Sequence, residues 1–211
     1  MSFTGDGRVS LQNIGKAYGS RRVLSGVSLD VLGGCCVAVV GANGSGKSTL
    51  LKIIAGLLRP TRGTVAIGDA LDAATRRQLV GYCAPDLAMY PELTGAENLR
   101  FFADVRGESL SATEAKSRLD AVGLHGRGND RVSAYSSGMR QRLRLAFALR
   151  GGDVPVLLLD EPSLALDAGG VRLVEAVITA QKKRGGVTIL ATNDEREATW
   201  ADERFAVGTV H

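Results

Sequence analysis

The run Gly41-Ala42-Asn43-Gly44-Ser45-Gly46-Lys47-Ser48-Thr49 restricts what this chain can fold into more than any other stretch. It has the phosphate-loop form G-x-x-x-x-G-K-[S/T] and directly follows the apolar run Val37-Ala38-Val39-Val40. Such a loop needs a buried strand leading in and a helix leading out, and Thr49-Leu50-Leu51-Lys52-Ile53-Ile54-Ala55 supplies the helix. The glycines let the backbone wrap close to phosphate oxygens, where N–H groups and the helix N-terminus offer positive potential. Lys47 is then a point charge for β/γ-phosphates and the Ser48 hydroxyl a ligand for Mg2+. The candidate contacts for a bound nucleotide are Gly41, Asn43, Gly44, Ser45, Gly46, Lys47, Ser48 and Thr49.

Around this loop the pattern predicts an α/β fold. Short β-like runs occupy residues 9–14, 27–31, 64–67 and 80–83, and a turn precedes the third at Arg59-Pro60-Thr61-Arg62-Gly63. Residues 93–149 read as mostly helical, broken at Gly107, Gly123 and Gly126. The run Val156-Leu157-Leu158-Leu159 is apolar on both faces, as a strand inside a parallel sheet must be. A helix follows it, with Val171, Val174, Val177 and Ile178 on one face and Lys182, Lys183 and Arg184 near its C-terminal end. Residues 187–191 form a further strand. The expected architecture is a P-loop NTPase core with a mainly parallel sheet, an N-terminal antiparallel β subdomain and an inserted helical lobe. The expected division of residues 1–211 places the core at about 1–84 and 151–211 and the lobe at about 85–150.

Composition narrows the classes of function. At 211 residues and 45% apolar content the chain can bury one domain's core, with room for a sub-lobe. No apolar run approaches the roughly 20 residues that span a bilayer. Residues 1–6 lack a basic start and an apolar core, so no signal peptide is expected there. The net charge of +4 comes from scattered or helical basic residues with no aromatic interleaving, so no nucleic-acid partner is expected. Cys35, Cys36 and Cys83 fit neither a disulfide framework nor a spaced metal site and read as small buried thiols.

The strand ending at Leu159 runs into Asp160-Glu161-Pro162. Carboxylates at the C-terminal end of a parallel strand sit beside the phosphate crevice. Asp160 is placed to hold Mg2+ directly or through water, and Glu161 to polarise a water attacking the γ-phosphate. With these motifs in order, nearly the whole chain resembles the ATP-binding subunits of ABC transporters. The stretch Tyr135-Ser136-Ser137-Gly138-Met139-Arg140-Gln141-Arg142 is similar to that family's signature, usually Leu-Ser-Gly-Gly-Gln; Ser137 and Met139 depart from it. The resemblance makes Ser136, Ser137 and Gly138 nucleotide contacts, through a capped helix start that faces a γ-phosphate. Ser163-Leu164-Ala165-Leu166-Asp167 resembles the D-loop, in which Asp167 can equally cap the next helix. The resemblance also implies that Tyr18 stacks on adenine.

Two positions depart from the family. Pro85 stands where the Q-loop glutamine is expected, leaving Asp86 beside it as a candidate Mg2+ ligand. Asn193, in Ala191-Thr192-Asn193-Asp194, stands at the switch histidine. Its amide can hydrogen-bond a γ-phosphate but cannot carry a proton. The resemblance implies an ATPase using ATP and Mg2+, slowed by these changes, with Glu161 and Asn193 as catalytic residues. It further implies a homodimer or heterodimer with a second nucleotide-binding domain and membrane-spanning transporter subunits as partners. Tyr90, Leu93, Phe101 and Phe102 are candidates for the groove that receives those subunits, Phe101 fitting better as core. The location implied is cytoplasmic, peripheral at the inner face of the cell membrane, and the size is that of compact exporter-type subunits. Two alternatives stay open: a soluble ABC ATPase acting as an assembly or regulatory factor, and a slow-hydrolysing ATP-binding switch.

Overall fold

The computed structural model describes residues 8–152 and 154–208; residues 1–6 and His211, on which some of the expectations above fall, lie outside them. The described residues gather into two units, one of residues 8–82, 154–161 and 177–208, the other of residues 83–152 and 162–176.

The first unit contains two sheets. In the smaller, β1 (Val9–Tyr18) pairs antiparallel with β2 (Arg21–Val31) on one side and β4 (Arg62–Ile67) on the other. Val9, Leu11 and Ile14 of β1 are buried, and the alternation slips at Asn13, where the pairing register shifts. Asn13 has φ 52°, a left-handed conformation that asparagine tolerates better than most residues. Both β1 and β2 outrun the runs expected from sequence, because they close a tight hairpin at Gly19 and Ser20.

The larger sheet has the order β5-β6-β7-β3-β8, with β3 (Cys36–Val40), β5 (Val80–Cys83), β6 (Val156–Asp160), β7 (Val187–Thr192) and β8 (Glu203–Ala206). The β6–β7, β7–β3 and β3–β8 pairings are all parallel. Every residue of β6 and β7 is buried, the signature of strands covered on both faces. α1 (Lys47–Ile54) leaves the phosphate loop and buries Leu50, Leu51, Ile53 and Ile54, packing on β6 and β7. α2 (Ala73–Leu79), capped by the Asp72 carboxylate, and the short α7 (Glu195–Ala198) complete the unit with β8. Of the thiols, Cys36 and Cys83 are buried as expected, but Cys35 is half-buried and precedes β3.

The second unit is mainly helical: α3 (Gly95–Val105), α4 (Ala112–Ala121), a 3-10 turn at Val132–Ala134 and α5 (Ser137–Leu149). Thr94 with Glu97 and Ser111 with Glu114 form reciprocal capping boxes at the starts of α3 and α4. Two of the glycine breaks act as helix stops, while Gly126 lies in a turn after α4. Gly107 (φ 74°) and Gly123 (φ 76°) donate to Asp104 O and Asp120 O, while Glu108 and Leu124 reach Ala103 O and Leu119 O. That double closure is the Schellman arrangement, which needs a left-handed residue. α6 (Ala168–Lys183) begins in the second unit and ends in the first. Among the described residues, no helix is long and apolar enough to cross a membrane.

Candidate functional site

Parallel pairing brings three strand ends to one edge of the larger sheet. Val40 of β3 lies in register with Thr192 of β7, and Asp160 of β6 with Ala191. The segments that follow are the phosphate loop, Asn193 and Glu161, and they therefore emerge side by side, as ligand sites of open α/β sheets do.

The loop is shaped by contacts that exclude side chains at two glycines. A Cβ on Gly46 (φ 105°) would sit 2.7 Å from Leu24 Cδ2 and 3.1 Å from Val23 Cγ1, so strand β2 lies directly against the loop. A Cβ on Gly41 (φ 153°) would meet Val207 O at 2.5 Å. The helix starts at Lys47, two residues earlier than the apolar pattern implies, so Lys47 and Ser48 belong to its first turn. The Ser45 hydroxyl is buried without a hydrogen-bond partner among the described residues, the kind of atom that a ligand or water satisfies.

Lys47 is buried, and its ammonium group donates to Gly41 O (2.8 Å), Ala42 O (3.2 Å) and Asn193 Oδ1 (2.6 Å). All three of its protons are thereby placed. The Asn193 side-chain amide donates in turn to Glu161 Oε1 (3.1 Å) and to Asn43 Oδ1. One amide thus joins the Lys47 ammonium, the loop residue Asn43 and the Glu161 carboxylate. A neutral imidazole has one donor and one acceptor and could not make all three bonds. Glu161 itself is held in a left-handed conformation (φ 44°), its N–H donating to Ala191 O at 2.8 Å. A non-glycine residue there stores backbone strain of order 1 kcal/mol.

A cleft of about 390 Å³ lies between the loop and the hairpin, lined by Gly44, Lys47, Ser48 and Glu161 on one side and by Tyr18, Arg21 and Val23 on the other. Tyr18 is 52% exposed, and the Lys16 ammonium sits 4.9 Å from its ring centroid, covering one face. Arg21 and Val23 were not legible as site residues, because only the β1–β2 pairing carries them to the loop.

Mg2+ would be held by the Ser48 hydroxyl and the buried Asp160 carboxylate. These are hard oxygen donors, and the described residues contain no His, Cys, Asp or Glu cluster that could cage an ion. The set fits Mg2+, which takes one or two protein oxygens and completes its shell with phosphate and water.

The remaining candidates belong to the second unit. Ser136 caps α5, its Oγ accepting from Met139 N at 3.1 Å, and Ser136 and Ser137 are exposed. The first turn of α5 holds no acidic residue, leaving the helix start positive. Gly138 is needed for the packing of the D-loop: a Cβ there would lie 2.9 Å from Ala165 O. Asp167 caps α6 by accepting from Gly170 N, and it pairs with Arg142 at 2.8 Å; both hold its carboxyl below the usual range. Pro85 and Asp86 occupy the middle of a tight turn closed by Leu87 N donating to Ala84 O. Tyr90, Phe101, Phe102 and Phe147 form one aromatic cluster with centroid separations of 4.9–5.9 Å. The expectation that Phe101 is core fails: it is 39% exposed beside Tyr90 at 44%, because α3 turns it outward.

Residues 24–164 match the family model described as ABC transporter. The chain is 40% identical over 176 residues to the cytochrome c biogenesis ATP-binding export protein CcmA of Bradyrhizobium diazoefficiens, covering 83% of this chain and 86% of that one. It is 38% identical over 198 residues to the aliphatic sulfonates import ATP-binding protein SsuB 2 of Xanthomonas axonopodis pv. citri, covering 93% of this chain and 66% of the relative. Among solved structures, the dimeric post-hydrolysis state of the ATP-binding cassette MJ0796, bound to ADP and Pi, superposes with a TM-score of 0.87 at 26% identity, covering 95% and 94% of the two chains. With a phosphate loop, a capped signature helix and a strand-end carboxylate pair in this order, the chain belongs to the ABC transporter family, as an ATP-binding and ATP-hydrolysing subunit that uses Mg2+.

Proposed function

We propose that the chain powers a membrane transporter by closing, head to tail, on a second nucleotide-binding domain whenever ATP is bound. The observation that carries this is the start of α5: Ser136 and Ser137 are exposed on a capped helix terminus free of acidic residues, a surface suited to a phosphate presented by another subunit. In that arrangement Lys47, Ser48, Asp160 and Glu161 of one subunit hold the triphosphate with Ser136, Ser137 and Gly138 of the other. MgATP supplies the γ-phosphoryl group and its charge. Lys47 contacts the β/γ-phosphates, Tyr18 stacks on the base, and Glu161 accepts a hydrogen bond from the attacking water. Asn193 orients Glu161 and contacts the γ-phosphate. Closure then depends on the γ-phosphate, and hydrolysis reverses it.

The membrane partner is read from the exposed aromatic pair Tyr90 and Phe101, backed by Phe102, with Leu93 half-buried nearby. Such a patch suits a short helix of a membrane subunit, which supports a location at the cytoplasmic face of the cell membrane. The relatives bear both export and import names, so direction of transport and cargo rest with the partner. A slow-hydrolysing switch is the second reading, favoured by Asn193, which cannot relay a proton. Sedimentation of Glu161→Gln with ATP and with ADP tests the main reading. A dimer with ATP alone supports it; equal association with both nucleotides, or none with ATP, sinks it.

A further inference from the structure

Arg21 has no role in the reading above, yet it stands in the nucleotide cleft. Tyr18 and Arg21 are directly opposed in the β1–β2 register, which places their side chains on the same face of the hairpin. Val23, two residues further along β2, sits at a register shift in the β1–β2 pairing, and its Cγ1 and Leu24 Cδ2 both lie against Gly46. Arg22, on the opposite face, lines a different hollow with Lys16 and Arg62. Arg21 thus lines the cleft with the phosphate-loop residues Gly44, Lys47 and Ser48, whereas Arg22 lines the other hollow. The Arg21 guanidinium is exposed and makes no hydrogen bond or ion pair with the described residues, whereas all three Lys47 protons are engaged. Lys47, Asn193 and Glu161 mark the end of the cleft where the terminal phosphate is cleaved, and Tyr18 marks the base end.

We propose that Arg21 is a second cationic contact of the nucleotide, acting on the adenosine side of the cleft at the α-phosphate and ribose rather than at the γ-phosphate. This rests on the ATP-binding reading of the same cleft. A planar guanidinium suits that position, since it can donate two parallel bonds to phosphate oxygens while lying beside the stacked base. Because the contact precedes the γ-phosphate, it serves ATP and ADP equally.

Calorimetric titration with MgATP and MgADP of the wild type, Arg21→Ala, Arg21→Lys and Lys47→Ala tests the proposal. Arg21→Ala is expected to weaken ATP and ADP by the same factor, roughly 3- to 10-fold for one exposed charge-assisted contact. The loss should shrink in high salt, and Arg21→Lys should recover part of it. Unchanged affinities in Arg21→Ala overturn the proposal, as does a loss confined to ATP. If Lys47→Ala loses ATP while Arg21→Ala matches the wild type, Arg21 alone is refuted. If the folded wild type binds neither nucleotide, the nucleotide reading fails and takes the proposal with it.

Discussion

Replacing Asn193 by alanine removes the amide that joins Lys47, Asn43 and Glu161. Lys47 would keep Gly41 O and Ala42 O but lose its 2.6 Å acceptor, and Glu161 would lose the 3.1 Å donor that orients Oε1. A hydrogen bond to a charged group contributes about 1.5–3 kcal/mol, and the exposure of Asn193 argues for the lower end because water can replace the amide. That converts to roughly a tenfold fall in kcat. The assay is steady-state phosphate release at saturating MgATP, run on Asn193→Ala, Glu161→Gln and the double variant. If Asn193 acts by orienting Glu161, the double variant should turn over no more slowly than Glu161→Gln alone. A kcat for Asn193→Ala within twofold of the wild type, or full additivity in the double variant, would refute the reasoning. Asn193→His adds a second readout: the wild type has no titrating group at this position, so the histidine variant should gain an inflection in its rate near its own pKa, about 6.5 when unperturbed.

Three further expectations concern the frame around the site. Gly46→Ala puts a methyl 2.7 Å from Leu24 at φ 105° and should abolish nucleotide binding while lowering the melting temperature, measured by thermal unfolding with and without MgATP. Asp202 accepts from Cys36 N and pairs with Lys182; burial raises its carboxyl pKa, but these partners hold it net below the usual value. A depressed carboxylate contributes stability above its unfolded pKa of about 3.9 that is lost as pH falls through the folded value, so Asp202→Asn should destabilise at pH 7 and become indistinguishable from the wild type in strong acid. Burial pushes the Cys36 thiol up to about 12 and Cys83 is fully enclosed, so native alkylation at pH 8 should modify only Cys35, with all three reacting after unfolding.

What could be read from the residues alone follows a physical division. The phosphate loop, the continuous apolar strands β3, β6 and β7, and Asp160-Glu161 announce themselves because each function is encoded in adjacent positions. The helix stops at Gly107 and Gly123 were equally legible, since a left-handed closure needs glycine. Features built from distant segments were not. Arg21 and Val23 look like an ordinary polar-apolar alternation until the hairpin carries them to the cleft beside the phosphate loop. Asn193 reads as a deficient histidine, yet its amide makes three bonds that depend on two other strand ends. α2, α7 and β8 escaped because they are four to seven residues long and, unlike the equally short β5, carry charged residues in place of a compact apolar run. Phe101 looked like core because hydrophobicity does not reveal which way a helix face turns.

The central claim, an ATPase completed by a second subunit, is tested most directly by ATPase rate per chain as a function of protein concentration, with Glu161→Gln as control. The account predicts a specific rate that rises with concentration and disappears in the control. A specific rate independent of concentration, or one that survives Glu161→Gln, would contradict it.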